Sequence, residues 1–228
     1  MHTRRDLIVS AGALAVTSLA PLSATPAAEP EVTVAEDLMR EHGIIRRALL
    51  VYAAIAPRLR TNAGAVDAAM LHKTGELFRR FGEEYHEKKL EEQHIFPVIR
   101  KMPGVASYAD VLTKQHERGR EITSYLLAVT ASGKVGTTHA APLADALEGL
   151  VRMYEHHAAR EDTIVFPAWK RNFTNKQLDA LGDEFEDIER KTFGHDGFED
   201  AEKTIGVIEK AFGLTDISQF TPPPPPEA

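Results

Sequence analysis

A charged, histidine-containing segment that ends in Phe-Pro occurs twice in the chain. The first copy reads YHEKKLEEQHIFP over residues 85–97, and the second reads YEHHAAREDTIVFP over residues 154–167. His42 stands about 40 residues before the first copy and His116 about 40 residues before the second, so that one unit spans 42–97 and the next spans 116–167. A helical hairpin that is repeated together with its polar residues is typical of a helical bundle with an approximately two-fold symmetric site.

Apolar residues at helical spacing predict four long helices joined by short connections, and the sequence shows no β pattern. The first helix should begin after Thr33, which forms a capping-box pattern with Glu36. Pro97 should kink or end the second helix, and Pro142 is expected in the first turn of the fourth. We therefore predict an all-α fold, an antiparallel up-down-up-down four-helix bundle with additional C-terminal helices.

Three segments are expected along the chain. Residues 1–28 have the layout of an export signal, residues 33–171 form the bundle, and residues 172–228 form a C-terminal helical extension. The extension should contain one helix capped at Thr174, a second helix from about Glu199, and the Pro-rich tail TPPPPPEA.

The N-terminal segment resembles a twin-arginine signal. Arg4 and Arg5 precede a short, weakly apolar stretch and then small residues, as in signals that export folded proteins. An ordinary secretory signal with two adjacent arginines is the alternative. Either way we expect a periplasmic or otherwise exported protein with no stable membrane span after signal removal, and the twin-arginine export machinery as a partner.

Composition excludes several classes of protein. The chain of 228 residues carries a net charge of −7, which argues against nucleic acid as a partner because phosphate binding needs a basic surface. It contains no cysteine, so disulfides, thiolate metal sites and cysteine nucleophiles are excluded. No His-Glu-x-x-His motif, nucleophile elbow or phosphate-binding loop is present.

The second copy of the repeated segment contains a histidine and a carboxylate on one helical face. His157 and Glu161 are about 40° apart around an ideal helix and about 6 Å apart along it, whereas His156 is about 140° from Glu161. His157 is therefore the expected ligand, and imidazole with carboxylate suits iron, manganese or zinc. A solvated helix surface remains the alternative for any single motif of this kind.

The first copy fits an ideal helix less well, because His86 and Glu91 are five residues apart and Leu90 occupies the favoured position. Either the site tolerates a wider angle, or one extra residue forms a π-bulge. A third possibility makes Glu87 a ligand as well. His195 lies in a glycine-flanked turn after the bundle, and we expect it to be no ligand.

The four segments REHGIIRRALLVY, YHEKKLEEQHIFP, LTKQHERGREIT and YEHHAAREDTIVFP together resemble the hemerythrin-like, or HHE cation-binding, family over about residues 36–170. The resemblance implies a bundle that holds two non-haem iron ions (Fe2+/Fe3+), bridged by two carboxylates and an oxo or hydroxo group. The implied metal ligands are His42, His86, Glu91, His116, His157 and Glu161.

One departure from the family pattern affects the expected function. Oxygen-carrying hemerythrins place two histidines four apart on the third helix, whereas here Arg120 follows His116 and Leu112 precedes it at that spacing. An open metal position favours exchange of ligands over simple carriage. We expect a di-iron protein that binds or senses a small diatomic ligand (oxygen or nitric oxide) or peroxide. The alternatives are an oxidase, peroxidase or ferroxidase with the same centre, and a metal-free interaction module.

Overall fold

The computed structural model describes residues 32–226, which contain helices and no β-strand. The predicted export signal lies outside the described residues. None of the helices in the described range is both long enough and apolar enough to cross a bilayer.

Eight α-helices and two π-helical segments account for most of the described chain. The first π segment follows α2 directly, and the second follows α5 directly. The α-helices are α1 Val34–Asn62, α2 Ala68–Leu77, α3 Phe96–Ile99, α4 Ala106–Thr130, α5 Thr137–Arg160, α6 Phe166–Lys170, α7 Asn175–Phe193 and α8 Gly197–Phe212. The first π segment covers Phe78–Ile95 and the second covers Glu161–Val165.

Several predicted helix ends are confirmed. The Thr33 hydroxyl accepts a hydrogen bond from the backbone N–H of Glu36, which caps α1. At α7, Thr174 and Gln177 form a complete capping box. Gly194 and Gly213 follow α7 and α8 with positive φ, which glycine adopts without steric strain.

Two sequence predictions about the helices were wrong. Pro142 lies inside α5 rather than in its first turn, because the helix already begins at Thr137 after an extended Gly136. The second long stretch is not one α-helix: it changes from α to π hydrogen bonding at Phe78 and returns to α at Phe96. The π-bulge considered for this stretch is thus extended over 18 residues.

The long helices pack around one apolar core. α1 lies along α5, α2 lies along α4, and α4 also contacts α5. Aromatic side chains fill much of the interior, including Tyr52, Phe78 and Trp169, each 2% exposed or less. α7 packs on α1 and the first π segment, whereas α8 packs on α1 and α2.

Candidate metal centre

The six side chains that the sequence singled out as metal ligands all lie in the interior. Each has an exposed fraction of 3% or less, although each carries an ionisable group. Burial of ionisable groups is unfavourable unless they pair with one another or bind a metal.

Glu91 joins the ligand residues into two groups. The donor atoms of Glu91, His116, His157 and Glu161 lie within 4.8 Å of one another, and so do those of His42, His86 and Glu91. One Glu91 carboxylate oxygen is 3.2 Å from His86 Nε2, and the other is 3.2 Å from His116 Nε2. The two oxygens of one carboxylate therefore face two different histidine pairs.

Glu161 also lies between the two histidine pairs. Its Oε2 atom is 2.9 Å from His157 Nε2 and 3.5 Å from His42 Nε2. The two carboxylates thus lie between two pairs of histidines, His42 with His86 and His116 with His157.

The helical period explains the unequal spacing in the two copies of the repeated segment. His86 and Glu91 both lie within the first π segment, where hydrogen bonds join residues five apart and a residue therefore faces the fifth one along. His157 lies in α5, and the backbone N–H of Glu161 still bonds to the carbonyl of His157. In each copy, then, the carboxylate follows the histidine by one local helical turn.

The two adjacent histidines in the second copy have opposite environments. His157 is buried with Nε2 directed to Glu161, whereas His156 is exposed and contacts the guanidinium of Arg160. The structure thus places His157 in the group and His156 on the surface, as the helical phase predicted.

Each histidine in the two groups has a second polar partner at Nδ1, on the side away from the carboxylates. Asp162 Oδ1 is 2.7 Å from His42 Nδ1, and Glu41 Oε2 is 2.5 Å from His86 Nδ1. An acceptor at Nδ1 keeps the proton there and directs the lone pair of Nε2 to the centre.

The second histidine pair has one charged and one neutral partner. Glu92 Oε1 is 2.9 Å from His116 Nδ1, and the amide oxygen Oε1 of Gln115 is 2.9 Å from His157 Nδ1. Three of the four histidines therefore contact a carboxylate at Nδ1, and His157 contacts an amide.

These partners were missed in the sequence, although the signal was present. Glu41, Glu92, Gln115 and Asp162 each stand next to a predicted ligand in the chain, but each contacts the histidine of another helix. Only the packing of the helices shows which pairs form.

The repeated Phe-Pro pairs cover the histidines reciprocally. Phe96, at the end of the first unit, stacks on His116 of the second, with ring centroids 5.4 Å apart. Phe166, at the end of the second unit, stacks on His42 of the first at 5.3 Å. The apolar rings help exclude water from the imidazoles.

Several buried polar atoms at the centre have no hydrogen-bond partner. They are both carboxylate oxygens of Glu91, both of Glu161, and Nε2 of His86. In addition, the Nε2 atoms of His116 and His157 face each other at 3.1 Å. Orphaned oxygens and opposed nitrogens are the arrangement expected around a cation, because each would direct a lone pair to it. The residues present therefore fit a metal site.

Protons compete with metal for this donor set. Burial lowers the pKa of His116, but the carboxylates of Glu87, Glu91 and Glu92 outweigh this effect and raise the pKa to about 10. Burial lowers the pKa of His157 to about 3, and the neighbouring His116 lowers it further. Burial and the nearby Glu91 charge raise the pKa of the Glu161 carboxyl. Metal binding must displace the protons on His116 and Glu161, because bound imidazole and carboxylate are deprotonated.

Arg120 occupies the position on α4 where the oxygen carriers have a further histidine. Its Nη2 atom contacts Glu92 Oε1 and lies 3.3 Å from Glu87 Oε2. The Tyr154 hydroxyl donates to the other Glu87 oxygen at 2.5 Å, in a space that a Cβ atom at Gly119 would fill. Glu87, considered as an additional ligand, thus contacts a cation and a phenol, 3.9 Å from the outer nitrogen of His116.

The histidines that were not predicted as ligands lie outside both groups. Nδ1 of His72 contacts the Thr130 hydroxyl, and His195 Nε2 is 2.5 Å from Asp200 Oδ2 on the surface. His139 contacts the Tyr125 hydroxyl at 3.2 Å.

Comparison with known proteins agrees with this geometry. The model of the hemerythrin HHE cation binding domain matches residues 33–169, and the chain belongs to this family. The chain is 39% identical over 199 residues to the uncharacterized protein Rv1995 of Mycobacterium tuberculosis. The aligned residues make up 87% of this chain and 77% of that protein. The uncharacterized protein Mb2018 of Mycobacterium bovis shows the same identity and coverage. No solved structure matches the chain.

Proposed function

We propose that the protein binds two iron ions in a four-helix bundle and uses them to bind or sense oxygen, peroxide or nitric oxide outside the cytoplasm. The observation that carries the proposal is the position of Glu91, whose two oxygens face two separate histidine pairs. A mononuclear site would leave one of these pairs without a metal. Glu161, shared in the same way, supports the second bridge.

The proposed arrangement assigns a role to each ligand. His42 and His86 would hold one ion, His116 and His157 would hold the other, and Glu91 and Glu161 would supply a carboxylate to both. The long helical stretches alternate in direction as an up-down-up-down bundle over residues 33–171, and residues 172–228 add the C-terminal helices and tail. The pair of ions, with a bridging oxo or hydroxo group, supplies reversible electron transfer and Lewis acidity.

The residues around the ligands set the conditions for that chemistry. The partners at Nδ1 orient the imidazoles and raise their basicity as ligands. Phe96 and Phe166 keep the rings dry. Six ligands with two negative charges leave two divalent ions with net positive charge, which favours an anionic oxygen species as the additional ligand.

An enzyme with the same centre is the second candidate. It is favoured by Arg120, which contacts Glu87 and Glu92 where the oxygen carriers supply a further metal ligand. An ion held by His116 and His157 would then have one protein ligand fewer than in the oxygen carriers and would leave room for a substrate. Repeated turnover of peroxide, rather than one stoichiometric reaction, would distinguish an oxidase, peroxidase or ferroxidase from a binding protein.

The main experiment measures metal content and optical absorption of protein produced with ample iron. We expect about two irons per chain and near-ultraviolet absorption from oxo-to-iron charge transfer. Protein that takes up zinc alone, or one ion at most, would contradict the di-iron proposal. Protein that binds no metal would favour a metal-free interaction module.

Export is a separate proposal that rests on the N-terminal sequence. We expect Arg4 and Arg5 to direct the folded protein to the twin-arginine machinery, and the mature protein to be periplasmic. The double substitution Arg4→Lys, Arg5→Lys should leave the protein in the cytoplasm, as fractionation would show. Normal export of this variant would mean that an ordinary secretory signal is present.

A further inference from the structure

A cleft of about 310 Å³ lies between α8 and the helical stretch formed by α2 and the first π segment. The apolar part of its lining, called the floor here, consists of Leu77, Phe81, Phe193 and Ala201. The polar part, called the rim, includes Lys73, Glu76, Arg80, His195, Asp200 and Thr204. A cavity of this volume, with an aromatic floor and a few polar groups, suits a small organic molecule.

The rim of the cleft carries polar groups of both signs. His195 and Asp200 form a hydrogen-bonded pair at 2.5 Å on one side. Arg80 and Lys73 lie on the rim as well, and the Arg80 guanidinium is 5.2 Å from the centre of the Phe193 ring. A ligand whose aromatic ring lies on this floor could therefore form hydrogen bonds to the rim through hydroxyl groups on that ring.

A continuous line of contacts joins the cleft to the metal centre. The Phe193 ring packs edge-on against Tyr85, with ring centroids 5.2 Å apart. The Tyr85 hydroxyl donates to Glu41 at 2.9 Å, and Glu41 in turn contacts Nδ1 of His86 at 2.5 Å. One aromatic ring thus separates the cleft from a tyrosine that is hydrogen-bonded to the partner of a ligand.

The corresponding tyrosine of the other unit makes no such connection. Tyr154 donates to Glu87, and its ring packs on Phe78, which is 2% exposed. Neither ring lines the cleft. The line of contacts to the surface cleft therefore belongs to the side of the centre that holds His86.

We propose that the cleft binds a small dihydroxybenzene reductant and that electrons pass from it to the centre through Phe193, Tyr85 and the Glu41–His86 pair. This inference rests on the proposed di-iron function. Hydroquinone would lose two electrons and two protons to become benzoquinone, and a ferric pair held by the proposed ligand residues would accept one electron per ion. Both protons leave to the solvent at the open rim, where His195 and Asp200 accept hydrogen bonds from the hydroxyls.

The chemistry of the cleft favours this class of ligand over others. Phe193, which is half-buried, offers aromatic surface to a ring, and aromatic rings pair favourably in edge-on or offset-stacked geometry. The rim holds donors and acceptors together, which suits neutral hydroxyl groups better than a single charge. A two-electron donor also matches the number of ions in the proposed centre.

The first experiment measures binding without redox chemistry. Zinc-loaded full-length protein is titrated with hydroquinone by calorimetry, in the wild type and in Thr204→Phe, which places a ring in the cleft. The matched control is Val207→Phe, which adds the same ring to an exposed position of the same helix. We expect saturable binding in the wild type and control, and its loss in Thr204→Phe. Equal binding by all three proteins, or none by the wild type, would overturn the inference.

The second experiment follows reduction of the oxidised, iron-loaded protein by hydroquinone under anaerobic conditions. The rate should saturate with hydroquinone in the wild type and lose saturation in Thr204→Phe. Phe193→Leu keeps the floor apolar but removes the bridging ring, so its centre should be reduced more slowly than that of the wild type even at saturating hydroquinone. Dithionite does not need the cleft, so the rate of reduction by dithionite should be the same in the wild type, Thr204→Phe and Phe193→Leu.

The two proposals can fail separately. Iron-loaded protein whose reduction by hydroquinone shows no saturation, or is unchanged in Thr204→Phe, would overturn the cleft proposal and leave the di-iron proposal standing. Protein that binds hydroquinone in the cleft but holds no iron pair would overturn the di-iron proposal and, with it, the electron path.

Discussion

The two halves of the centre contain the same ligands but differ in what surrounds them. In the first half, His42 and His86 both contact a carboxylate at Nδ1, and the C-terminal helices cover this side through contacts such as Phe193 on Tyr85. In the second half only His116 contacts a carboxylate, because His157 contacts the neutral Gln115. Each half has one such carboxylate paired with an arginine, Asp162 with Arg46 and Glu92 with Arg120. Repetition of a sequence pattern therefore does not make the two histidine pairs chemically equal.

This difference has an electronic consequence. A carboxylate at Nδ1 makes an imidazole a stronger donor than an amide does, so the first half should hold its metal more tightly. The second half, which also lacks a further histidine, should be the position where ligands exchange.

The largest effect should come from a residue that both halves share. Glu91→Gln keeps the shape of the side chain but removes the charge that faces both histidine pairs, so both metal positions should empty. Metal analysis should show nearly complete loss, and added iron should no longer raise the melting temperature. Glu84→Gln, at an exposed position of the same π segment, is the matched control and should keep its metal. Retention of one ion in Glu91→Gln would mean that the halves bind metal independently.

Removal of a ligand from one half should affect that half alone. His157→Ala should lose one metal equivalent and lower the melting temperature of the iron-loaded protein, because Nε2 of His157 faces Glu161 in the interior. The neighbouring exposed residue provides the control, and His156→Ala should keep its metal. If both variants retain two ions, the segment YEHHAAREDTIVFP is a solvated surface and the second half is not a metal position.

The partners of the histidines should have a smaller effect, and an unequal one. Loss of such a partner usually weakens metal affinity by about 10–100-fold, so Glu41→Gln should reduce affinity at the first position within that range. Gln115→Ala should cost less, because the amide is neutral and half-buried, so water can replace it. Competition with a coloured chelator would measure both affinities. Equal losses would mean that the charge of the partner does not distinguish the halves.

The smallest effect concerns the helices that cover the first half. Partial burial raises the pKa of Glu189 on α7 from 4.5 to about 7, and nearby carboxylates including Glu41 add to the shift. The folded protein therefore binds this proton more tightly than the unfolded chain does, so the stability from the protonated form is lost as the pH rises from about 4.5 to 7.

Substitution of this residue should remove that loss. Glu189→Gln stays neutral and can still accept the hydrogen bond from the Phe198 N–H, so at pH 8 its melting temperature should exceed that of the wild type by about 2–4 °C. At pH 4.5 the two should melt alike. Glu186→Gln, exposed on the same helix, serves as the control. A gain that is equal at both pH values would show that the titration of Glu189 is not its cause.

The sequence predicted the elements with strong local signals. Helical spacing indicated the long helices, and the caps at Thr33 and Thr174 marked two of their starts, because capping depends on residues three apart. The helical phase also separated His157 from His156, since α5 keeps the α period up to Glu161.

Features that depend on packing could not be predicted in the same way. The π hydrogen bonding of residues 78–95 extends far beyond a single bulge, and only the positions of His86 and Glu91 hinted at it. The start of α5 was misplaced because Pro142 fits the first turn of a helix, whereas here it is tolerated inside one. The contacts of Arg120 and Tyr154 with Glu87 join residues distant in the chain, and no local pattern specifies them.

The partners of the four histidines are connected in a closed and directional order. A residue beside His42 orients His86, one beside Glu91 orients His116, one beside His116 orients His157, and one beside Glu161 orients His42. Every helix thus carries both a ligand and the support for the ligand of the next helix. A rotation of any one helix about its axis would move its own ligand and tilt the following imidazole at the same time. In mechanical terms the four helices are coupled, because none of them can rotate without displacing the histidine of the next.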